Sequence, residues 1–339
     1  MDPLTHALTG AALAVVFAPA GRLRQMAVAG AAVAALPDLD VLLGSAADPL
    51  LKVELHRHFS HALLLAPMFA AVVAAIGTWL YRDGFIRWWL GVLPSAISAG
   101  LLDACTSYGT HLFWPFTDER DAYAIVAVVD PVLTVVLLVL LLASVVRRQP
   151  VFAGFGLVFA ASYLMLGTMQ QSRADWAMRS LAESRGHSVE RSVVKPTLGN
   201  LLVWRTLYVH AGRVYAAAVR VGLSSDSVLY PGTDVELVVL SELGLPQDST
   251  ARIDVQRFAR LSQGYLVWHP QRQWVIGDVR YAISPDATSP MFALRIDPST
   301  PQAHPEYLEL RDWSPAAWQR FKAMLAGEPL PRAQMENGL

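Results

Sequence analysis

The sequence predicts an α-helical membrane bundle of about six transmembrane or partly embedded helices, followed by a soluble α+β domain with an antiparallel sheet. Of the 339 residues, 54% are hydrophobic and only 16% are charged, a composition too apolar for a soluble protein of this size. The apolar residues are concentrated before residue 170, whereas most charges follow it. We therefore divide the chain into a membrane domain, residues 1–169, and a soluble domain, residues 170–339.

Charge and cysteine content exclude several classes of function. The net charge of −1 at pH 7 provides no basic excess for binding nucleic acid. The single cysteine, Cys105, excludes an intrachain disulfide framework and a cysteine-only zinc site. The sequence also contains no P-loop, dinucleotide fingerprint or Gly-x-Ser-x-Gly elbow. We expect membrane lipids as partners and no nucleic acid, and no protein partner is identified.

The first half contains six apolar segments that are candidates for membrane helices. A spanning helix needs about 20 residues to cross the hydrocarbon core. The first segment is shorter than this and the second is interrupted at Pro37, so we expect both to be short or partly embedded. The segments lie at about 7–20, 26–44, 61–80, 86–103, 123–146 and 151–169.

The loops between these segments differ in charge. One set carries an excess of arginine, which by the positive-inside rule lies in the cytoplasm. Both termini and the soluble domain then lie on the opposite side of a bacterial inner membrane, facing the periplasm. The arginine-rich set contains Arg22, Arg24, Arg82, Arg87, Arg147 and Arg148, with Asp83 as its acid.

Six polar residues lie at the ends of four apolar segments, and the alternation of the spans brings all six to the outer face. Burying such groups in a bilayer without partners is costly, which favours a shared role. Imidazole with carboxylate suits Zn²⁺, with Mn²⁺ or Fe²⁺ as alternatives, and six ligands are enough for one or two ions. The candidate ligands are His6, Asp38, Asp40, His56, His61 and Asp103.

Each of these polar residues also has a structural interpretation. His6 could lie at the membrane interface, and Asp38 and Asp40 could cap a helix end. Arg57 could reach lipid headgroups instead of holding a substrate phosphate. We expect His58 to be a solvated neighbour of the site and not a ligand.

Asp130 lies inside the fifth apolar segment, where an acid suggests a function. Alternatively, it caps a helix that begins at Pro131. We expect Asp130 to support the site by holding a histidine ligand or the loop 115–121, with Arg120 as a possible partner.

Seven ordered motifs, five in the membrane half and two in the soluble half, form a recognisable series: "MDPLTHALTGAAL", "LPDLDVL", "HRHFSHALL", "LLDACTSYGTHLFWPF", "AIVAVVDPVLT", "PTLGNLLVWR" and "GDVRY". Together they resemble the bacterial YdjM-like family of inner-membrane, metal-dependent hydrolases. The resemblance implies a hydrolase without naming its substrate, because the family's activity is itself inferred from the His/Asp pattern. The matching polar positions are His6, Asp38, Asp40, His56, Arg57, His61, Asp103, Thr106, Tyr108 and Gly109.

The chain departs from the family pattern at two positions. Relatives commonly have a histidine four residues before the motif aspartate, where this chain has Ala99, and His111 stands where glutamine is usual. If the missing histidine is a ligand in relatives, this protein has one metal in place of two, or His111 replaces it from the loop.

The sequence of the soluble half predicts a helix at 170–186 that leaves the membrane. Short strands, in which apolar and polar residues alternate, and a closing helix at about 314–326 follow. The first two strand runs are joined by "HAGR", a hairpin signal. The other runs are "VELVVL", "GYLVWH", "WVIGDVRYAI" and "MFALRI". We expect a lid or substrate-recognition domain over the metal site, whose tryptophans are core residues or interfacial anchors.

Our first functional hypothesis is a membrane-bound metal-dependent hydrolase that activates water against a lipid, ester or phosphoester. Its catalytic residues would be Asp38, as bridging ligand or base, Arg57, as phosphate clamp, and Thr106; Asp40 is the alternative base. The second hypothesis is a non-catalytic, metal-stabilised membrane adaptor whose soluble domain binds a protein. A transporter is the third, but the expected inverted repeats are missing from the sequence.

Overall fold

The computed structural model describes residues 1–332 except 20, 223, 225, 312 and 313. The chain forms two compact units, each built from several parts of the sequence. The first contains residues 1–43, 55–169 and 198–200, and the second contains 44–54, 170–197 and the chain from 201 onward. The first unit is helical, and the second contains antiparallel sheets. This agrees with the predicted fold class except in the number of spans and the number of sheets.

In the described chain, seven α-helices precede the first strand. They are α1 (Pro3–Val16), α2 (Leu23–Ala35), α3 (Leu51–Leu55), α4 (Ala66–Tyr81), α5 (Phe85–Ala104), α6 (Pro131–Arg147) and α7 (Val151–Ser184). Two 3-10 helices, Pro37–Leu42 and Phe59–His61, interrupt the series. The short helices result from proline and capping residues, which start or end helices inside the apolar segments.

Six spans are not confirmed. Among the described residues, three helical stretches are long and apolar enough to cross a membrane: 23–42, 85–104 and 151–184. A fourth is possible if 51–61 and 66–81, bent by 72°, act as one. The predicted segment 123–146 becomes a helix only at Pro131, because the Asp130 side chain accepts hydrogen bonds from the first-turn N–H groups of Val132 and Leu133.

The core of the first unit depends on close helix packing. A Cβ atom added to Gly10 in α1 would lie 2.4 Å from the carbonyl oxygen of Gly30 in α2, so only glycine permits this approach. Around this crossing, α1 packs with α6 and α7 in one apolar cluster, and α2 packs with α4 and α5 in another. These contacts fix the ends of α1 and α5, where His6 and Asp103 lie.

Two four-stranded antiparallel sheets occur in the described part of the second unit, whereas the sequence predicts one sheet. The first has the order β1-β2-β3-β4 and the second β5-β6-β7-β8. The strands are β1 (Arg191–Pro196), β2 (Val203–His210), β3 (Arg213–Val221), β4 (Ser227–Glu236), β5 (Leu266–Trp268), β6 (Val275–Asp278), β7 (Phe292–Arg295) and β8 (Glu306–Glu309). Strands β1 and β8 were not among the predicted runs, and β4 begins before the predicted "VELVVL" and shares only its first two residues.

The predicted hairpin is present. Ala211 and Gly212 connect β2 to β3 with φ angles of 48° and 73°, the left-handed pair that a tight hairpin turn requires. Its register pairs His210 with Arg213 at the turn.

The helices of the second unit cover the sheets. Helix α8 (Thr250–Leu261) packs on the second sheet through Val255 and Phe258, and α9 (Pro315–Ala326) packs on the first through Phe321 and Met324. Helix α9 agrees with the predicted closing helix, whereas α8 was not predicted.

Two of the sequence motifs, "PTLGNLLVWR" and "GDVRY", meet inside the second unit. Arg205, at the end of "PTLGNLLVWR", donates hydrogen bonds to the backbone carbonyls of Val279 and Arg280 in "GDVRY", and to that of Pro285. Arg205 is 2% exposed, so these carbonyls replace the water that its guanidinium loses on burial. The two motifs therefore contact each other because the buried Arg205 of the first binds the backbone of the second.

Candidate metal centre

Four of the six predicted ligands converge in the first unit. One nitrogen or oxygen atom from each of His6, Asp38, His61 and Asp103 lies within 4.8 Å of the corresponding atom of the others. His6 comes from α1, Asp103 from the last turn of α5, and Asp38 and His61 from the two 3-10 helices. Four separate elements therefore supply the group.

The atomic contacts centre on His61. Its Nε2 lies 3.0 Å from Asp103 Oδ2 and 3.4 Å from Asp38 Oδ1. His6 Nε2 lies 3.0 Å from Asp103 Oδ1. The side chains of His6, His61 and Asp103 are fully buried, and that of Asp38 is 12% exposed. Asp38 is thus the most exposed residue of the group.

Several polar atoms of this group are buried without a hydrogen bond. They are His6 Nδ1, His61 Nε2, Asp38 Oδ2 and Asp103 Oδ2. Such atoms are costly to bury unless they bind something. Donor atoms about 2.0–2.2 Å from a tetrahedral zinc lie roughly 3.3–3.6 Å from one another. The observed separations of 3.0 and 3.4 Å are close to this, so the residues fit a single divalent cation.

Asp40 lies outside the group of four and contacts the other side of His61. Its Oδ2 lies 3.4 Å from His61 Nδ1 and accepts a 2.5 Å hydrogen bond from Ser60 Oγ, and its Oδ1 lies 2.8 Å from His56 Nδ1. Because a 3-10 helix has three residues per turn, Asp38 and Asp40 point in different directions and bracket the two ring nitrogens of His61. Ser60, which the sequence reasoning missed, is recognisable only as the neighbour of His61.

Arg57 fixes Asp103 from inside the unit. Its Nε lies 3.1 Å from Asp103 Oδ2, its Nη2 donates to the Met1 carbonyl at 2.6 Å, and its Nη1 donates to Thr106 Oγ1 at 3.4 Å. The Met1 amino group also contacts Asp103 Oδ1. Arg57 is 4% exposed and Thr106 is fully buried. The guanidinium is therefore already engaged within the protein.

The backbone of Arg57 is strained. It has a φ of 56°, in the left-handed region that long side chains rarely adopt. Its N–H donates to Asp40 Oδ2 at 2.8 Å, and its carbonyl accepts from Thr110 Oγ1 at 3.0 Å. These two hydrogen bonds hold the strained backbone of Arg57 in place.

Gly100 sets the position of His61. A Cβ atom at Gly100 would lie 2.3 Å from the His61 carbonyl oxygen, so the glycine lets α5 touch the segment that carries His61. Gly100 lies about one helical turn before Asp103. The close approach therefore brings His61 and Asp103 together. Ala99, where relatives commonly carry histidine, is fully buried on the same helix.

His111 does not belong to the group of four. Its ring packs against that of His58, with centroids 4.3 Å apart. The centroid of the His58 ring also lies 6.0 Å from that of Trp114. Burial, followed by the nearby positive charge of Arg120, lowers the pKa of His111 to about 4. His111 is therefore a neutral ring at neutral pH within an aromatic loop.

Asp130 takes the capping position, the alternative interpretation. Besides its first-turn hydrogen bonds, its Oδ2 accepts a 2.9 Å hydrogen bond from Tyr163 in α7. Arg120, the partner we expected, donates to the carbonyl oxygens of Gly109 and His56 at 3.3 and 3.2 Å. Asp130 thus joins α6 to α7, and Arg120 ties its own loop to the segment that carries His56.

A second group of possible ligands lies in the second unit. Asp48, Asp254 and His304 come within the same 4.8 Å limit. Their oxygens are already bonded: Arg257 donates to Asp48 and Asp254 at 2.8 to 3.1 Å, and His304 Nδ1 lies 2.6 Å from Asp254. An arginine therefore neutralises this group.

Comparison with known proteins agrees with the features of the first unit. A family model described as YdjM inner membrane protein matches residues 1–174, about half of the chain. Inner membrane protein YbcI of Escherichia coli (strain K12) is 38% identical over 94 residues, which are 27% of this chain and 54% of YbcI. The chain thus spans about half the length of this relative. No solved structure matches the chain.

The matched region contains the apolar helices and all six of the predicted His and Asp ligands. The family and the relative are both named as inner membrane proteins, in agreement with the predicted membrane localisation. The resemblance found in the sequence motifs is thereby confirmed, and the chain belongs to the YdjM inner membrane protein family.

Proposed function

We propose that this protein is a membrane-bound hydrolase that depends on a divalent cation held by His6, Asp38, His61 and Asp103. One observation carries the proposal: the buried side chains of His6, His61 and Asp103 converge with the partly buried Asp38, and each of the four has an atom without a hydrogen-bond partner. The mixed nitrogen and oxygen donor set favours Zn²⁺, with Mn²⁺ or Fe²⁺ as alternatives. The four donors suit one ion, and a second ion would have to use Asp40 and His56.

When bound, such a cation supplies Lewis acidity toward water and toward an ester or phosphoester oxygen. Asp38 is the candidate base, because it is the least buried ligand and its Oδ2 accepts no hydrogen bond. Asp40 orients His61 by contacting Nδ1, which leaves Nε2 directed at the other acids.

Arg57 and Thr106 act in this proposal by positioning other groups. Arg57 holds Asp103 through Nε and the Met1 carbonyl through Nη2. Thr106 Oγ donates a 2.8 Å hydrogen bond to the Asp103 carbonyl. Clamping a substrate phosphate, the role predicted for Arg57, would require its guanidinium to give up one of these partners.

A lipid is the substrate class that the surroundings of the site favour. The 3-10 helix that carries Asp38 and Asp40 also presents Leu39 and Leu42 outward, 55% and 79% exposed. Exposed leucines beside a polar site suit a bilayer interface, where the polar part of a lipid could reach the acids while its chains remain in the membrane.

We further propose that the site and the second unit face the periplasm, as the arginine-rich loops suggest. Single cysteines introduced into a Cys105→Ser background test this. We expect a cysteine at Ser299 in whole cells to react with a membrane-impermeant maleimide, and one at Arg82 to react only after lysis. The reverse pattern would place the site in the cytoplasm.

The decisive experiment measures metal by elemental mass spectrometry in detergent-purified wild type, His61→Ala and Asp103→Asn. The metal-loaded and metal-stripped proteins are then assayed on short-chain phospholipids and aryl phosphoesters. We expect bound metal only in the wild type, and turnover only with metal. Metal-dependent folding without any turnover would favour the adaptor hypothesis, and a wild type that stays metal-free after reconstitution would exclude both.

A further inference from the structure

The second unit contains a cavity of about 590 Å³ with a strongly basic lining. Three arginines line it, Arg272 between β5 and β6, Arg320 in α9, and Arg332 near the end of the described chain, whereas Asp286 is its acid. Hydroxyl groups of Ser284 and Thr288 also line the wall. The cavity is of the size typical of small-molecule sites, which are about 300–1000 Å³.

The arginines keep unused hydrogen-bonding capacity. Arg320 donates to Asp286 through Nε and Nη2, which leaves Nη1 without a partner among the described residues. Arg332 donates through Nε to the Gly232 carbonyl, and its Nη2 lies 3.9 Å from Asp234 Oδ1, a long ion pair. The side chain of Arg272 makes no hydrogen bond or ion pair with the residues that the structure describes. The lining therefore contains three guanidinium groups and one carboxylate, and the nearby Asp234, outside the lining, is shared between Arg332 and Arg213. The cavity has an excess of positive charge.

Neutral groups and a helix end add to this environment. Burial, followed by the charge of Arg272, lowers the pKa of His269 in the lining, so its ring is neutral at pH 7 and adds hydrogen bonding without charge. The N-terminus of α9, a helix of 12 residues, also lines the cavity through the N-cap residue Ser314 and the first-turn residues Ala316 and Ala317. The dipole at a helix N-terminus favours an anion.

We propose that this cavity binds a small phosphate-bearing anion, either a free phosphomonoester or the phosphate of a lipid headgroup. Guanidinium groups match the geometry of phosphate oxygens and can bind two of them at once. The excess of cationic groups over Asp286 makes an anion the favoured ligand class. The proposal concerns binding in the second unit, so it stands or falls independently of the metal-dependent activity.

The test is a titration of the full-length protein in detergent, stripped of metal, with inorganic phosphate, glycerol 3-phosphate and dihexanoyl phosphatidylglycerol, followed by calorimetry. The test variants are Arg272→Gln and Arg332→Gln. Arg320 is left intact because its loss would also strip Asp286, which is fully buried, of its ion pair. The matched control is Arg295→Gln, an arginine 49% exposed that pairs with Glu306 outside this cavity.

We expect saturable binding by the wild type and by Arg295→Gln, weakened about tenfold in each test variant, the loss typical of one charge-assisted hydrogen bond. Tighter binding of the short-chain lipid than of glycerol 3-phosphate would identify a headgroup site, and equal binding would identify a free phosphomonoester. No saturable binding by the wild type, or equal losses in the test variants and the control, would overturn the proposal. Thermal unfolding of each variant verifies that it is folded.

Discussion

The two units each bring histidine and aspartate side chains together, but they balance the charge differently. In the second unit, Arg257 donates to Asp48, Glu54 and Asp254, so every carboxylate of that group has a protein partner. In the first unit, the contacts of Arg57 leave Asp38 Oδ2 and His61 Nε2 buried without hydrogen bonds.

This difference separates a structural ion-pair network from a site that lacks a component. A guanidinium that fills the space between carboxylates leaves no room for a cation, and it satisfies their oxygens. Unpartnered buried donors and acceptors, by contrast, persist only where something else binds them or where function maintains them. Proximity of His and Asp residues therefore does not by itself indicate a metal site. A metal site is indicated when some of their buried polar atoms also lack hydrogen-bond partners.

The largest expected effect is the loss of bound metal in Asp103→Asn. Asparagine keeps the shape of the side chain but removes a charged ligand, so we expect metal content to fall from about one ion per chain to roughly a tenth of that or less. Elemental mass spectrometry measures this. The control is Asp48→Asn in the second group, and the comparison fails if both substitutions remove metal equally.

A substitution beside the site should weaken it without removing a ligand. Gly100→Ala places a methyl group against the His61 carbonyl and shifts His61 away from Asp103. We expect metal affinity to fall about 10–100-fold, as for other changes to residues that position ligands. A competition titration with a chelator measures this.

Gly154→Ala is the matched control, because Gly154 is also within a helix and a Cβ there meets nothing within 4 Å. Unchanged affinity in Gly100→Ala, or an equal loss in Gly154→Ala, would mean that the close approach does not position His61.

Arg257→Met should destabilise the chain but leave its metal content unchanged. The substitution removes the partner of three carboxylates, and we expect a loss of about 1–3 kcal/mol in unfolding free energy. Thermal and urea unfolding measure this, with Arg295→Met as the control on an exposed pair worth less than about 1 kcal/mol. A loss of metal in Arg257→Met would contradict the separation of the two groups.

The ion pair between Arg257 and Asp48 also predicts that the unfolding free energy depends on pH. Burial opposes ionisation of Asp48, but hydrogen bonds from Arg257 outweigh it and hold its pKa below the ordinary value. A carboxylate with a lowered folded-state pKa stabilises the chain above its unfolded pKa of about 3.9 and loses this contribution as the pH falls further. The stability difference between wild type and Arg257→Met should therefore become smaller as the pH falls below about 4. A difference that is constant with pH would exclude this linkage.

The smallest expected effect on the metal is that of His111→Gln. Because His111 lies against His58 and outside the group of four, we expect full metal content in this variant. Elemental analysis of His111→Gln and His61→Ala measures this, and an equal loss of metal in both variants would identify His111 as a ligand.

His111 also provides a pH test. Its folded-state pKa of about 4 lies below the ordinary 6.5, so the unfolded chain binds the proton more readily. Acidification from about pH 6.5 to 4 should therefore destabilise the wild type, and His111→Gln should remove this part of the loss. Equal acid sensitivity of the two proteins in thermal unfolding would argue against the lowered pKa.

The sequence by itself was enough for features that depend on local signals. Composition distinguishes the apolar, helical first part of the chain from the later part with antiparallel sheets, and "HAGR" between alternating runs specifies the β2–β3 hairpin. The His and Asp motifs also identify the family, because they are short and ordered along the chain. The role of Asp130 was less predictable: the cap on α6 is a local contact, but its hydrogen bond with Tyr163 joins residues 33 apart in the sequence.

Tertiary structure alone decided which predicted ligands meet. His6 and Asp103 are separated by 97 residues and come within 3.0 Å only because the close crossing of α1 and α2, and the contact at Gly100, fix the helix ends. The same packing places Asp40 behind His61 and His111 beside His58. Local patterns encode which residues are polar and where helices start, whereas distances between segments follow from the packing of side chains across the whole unit.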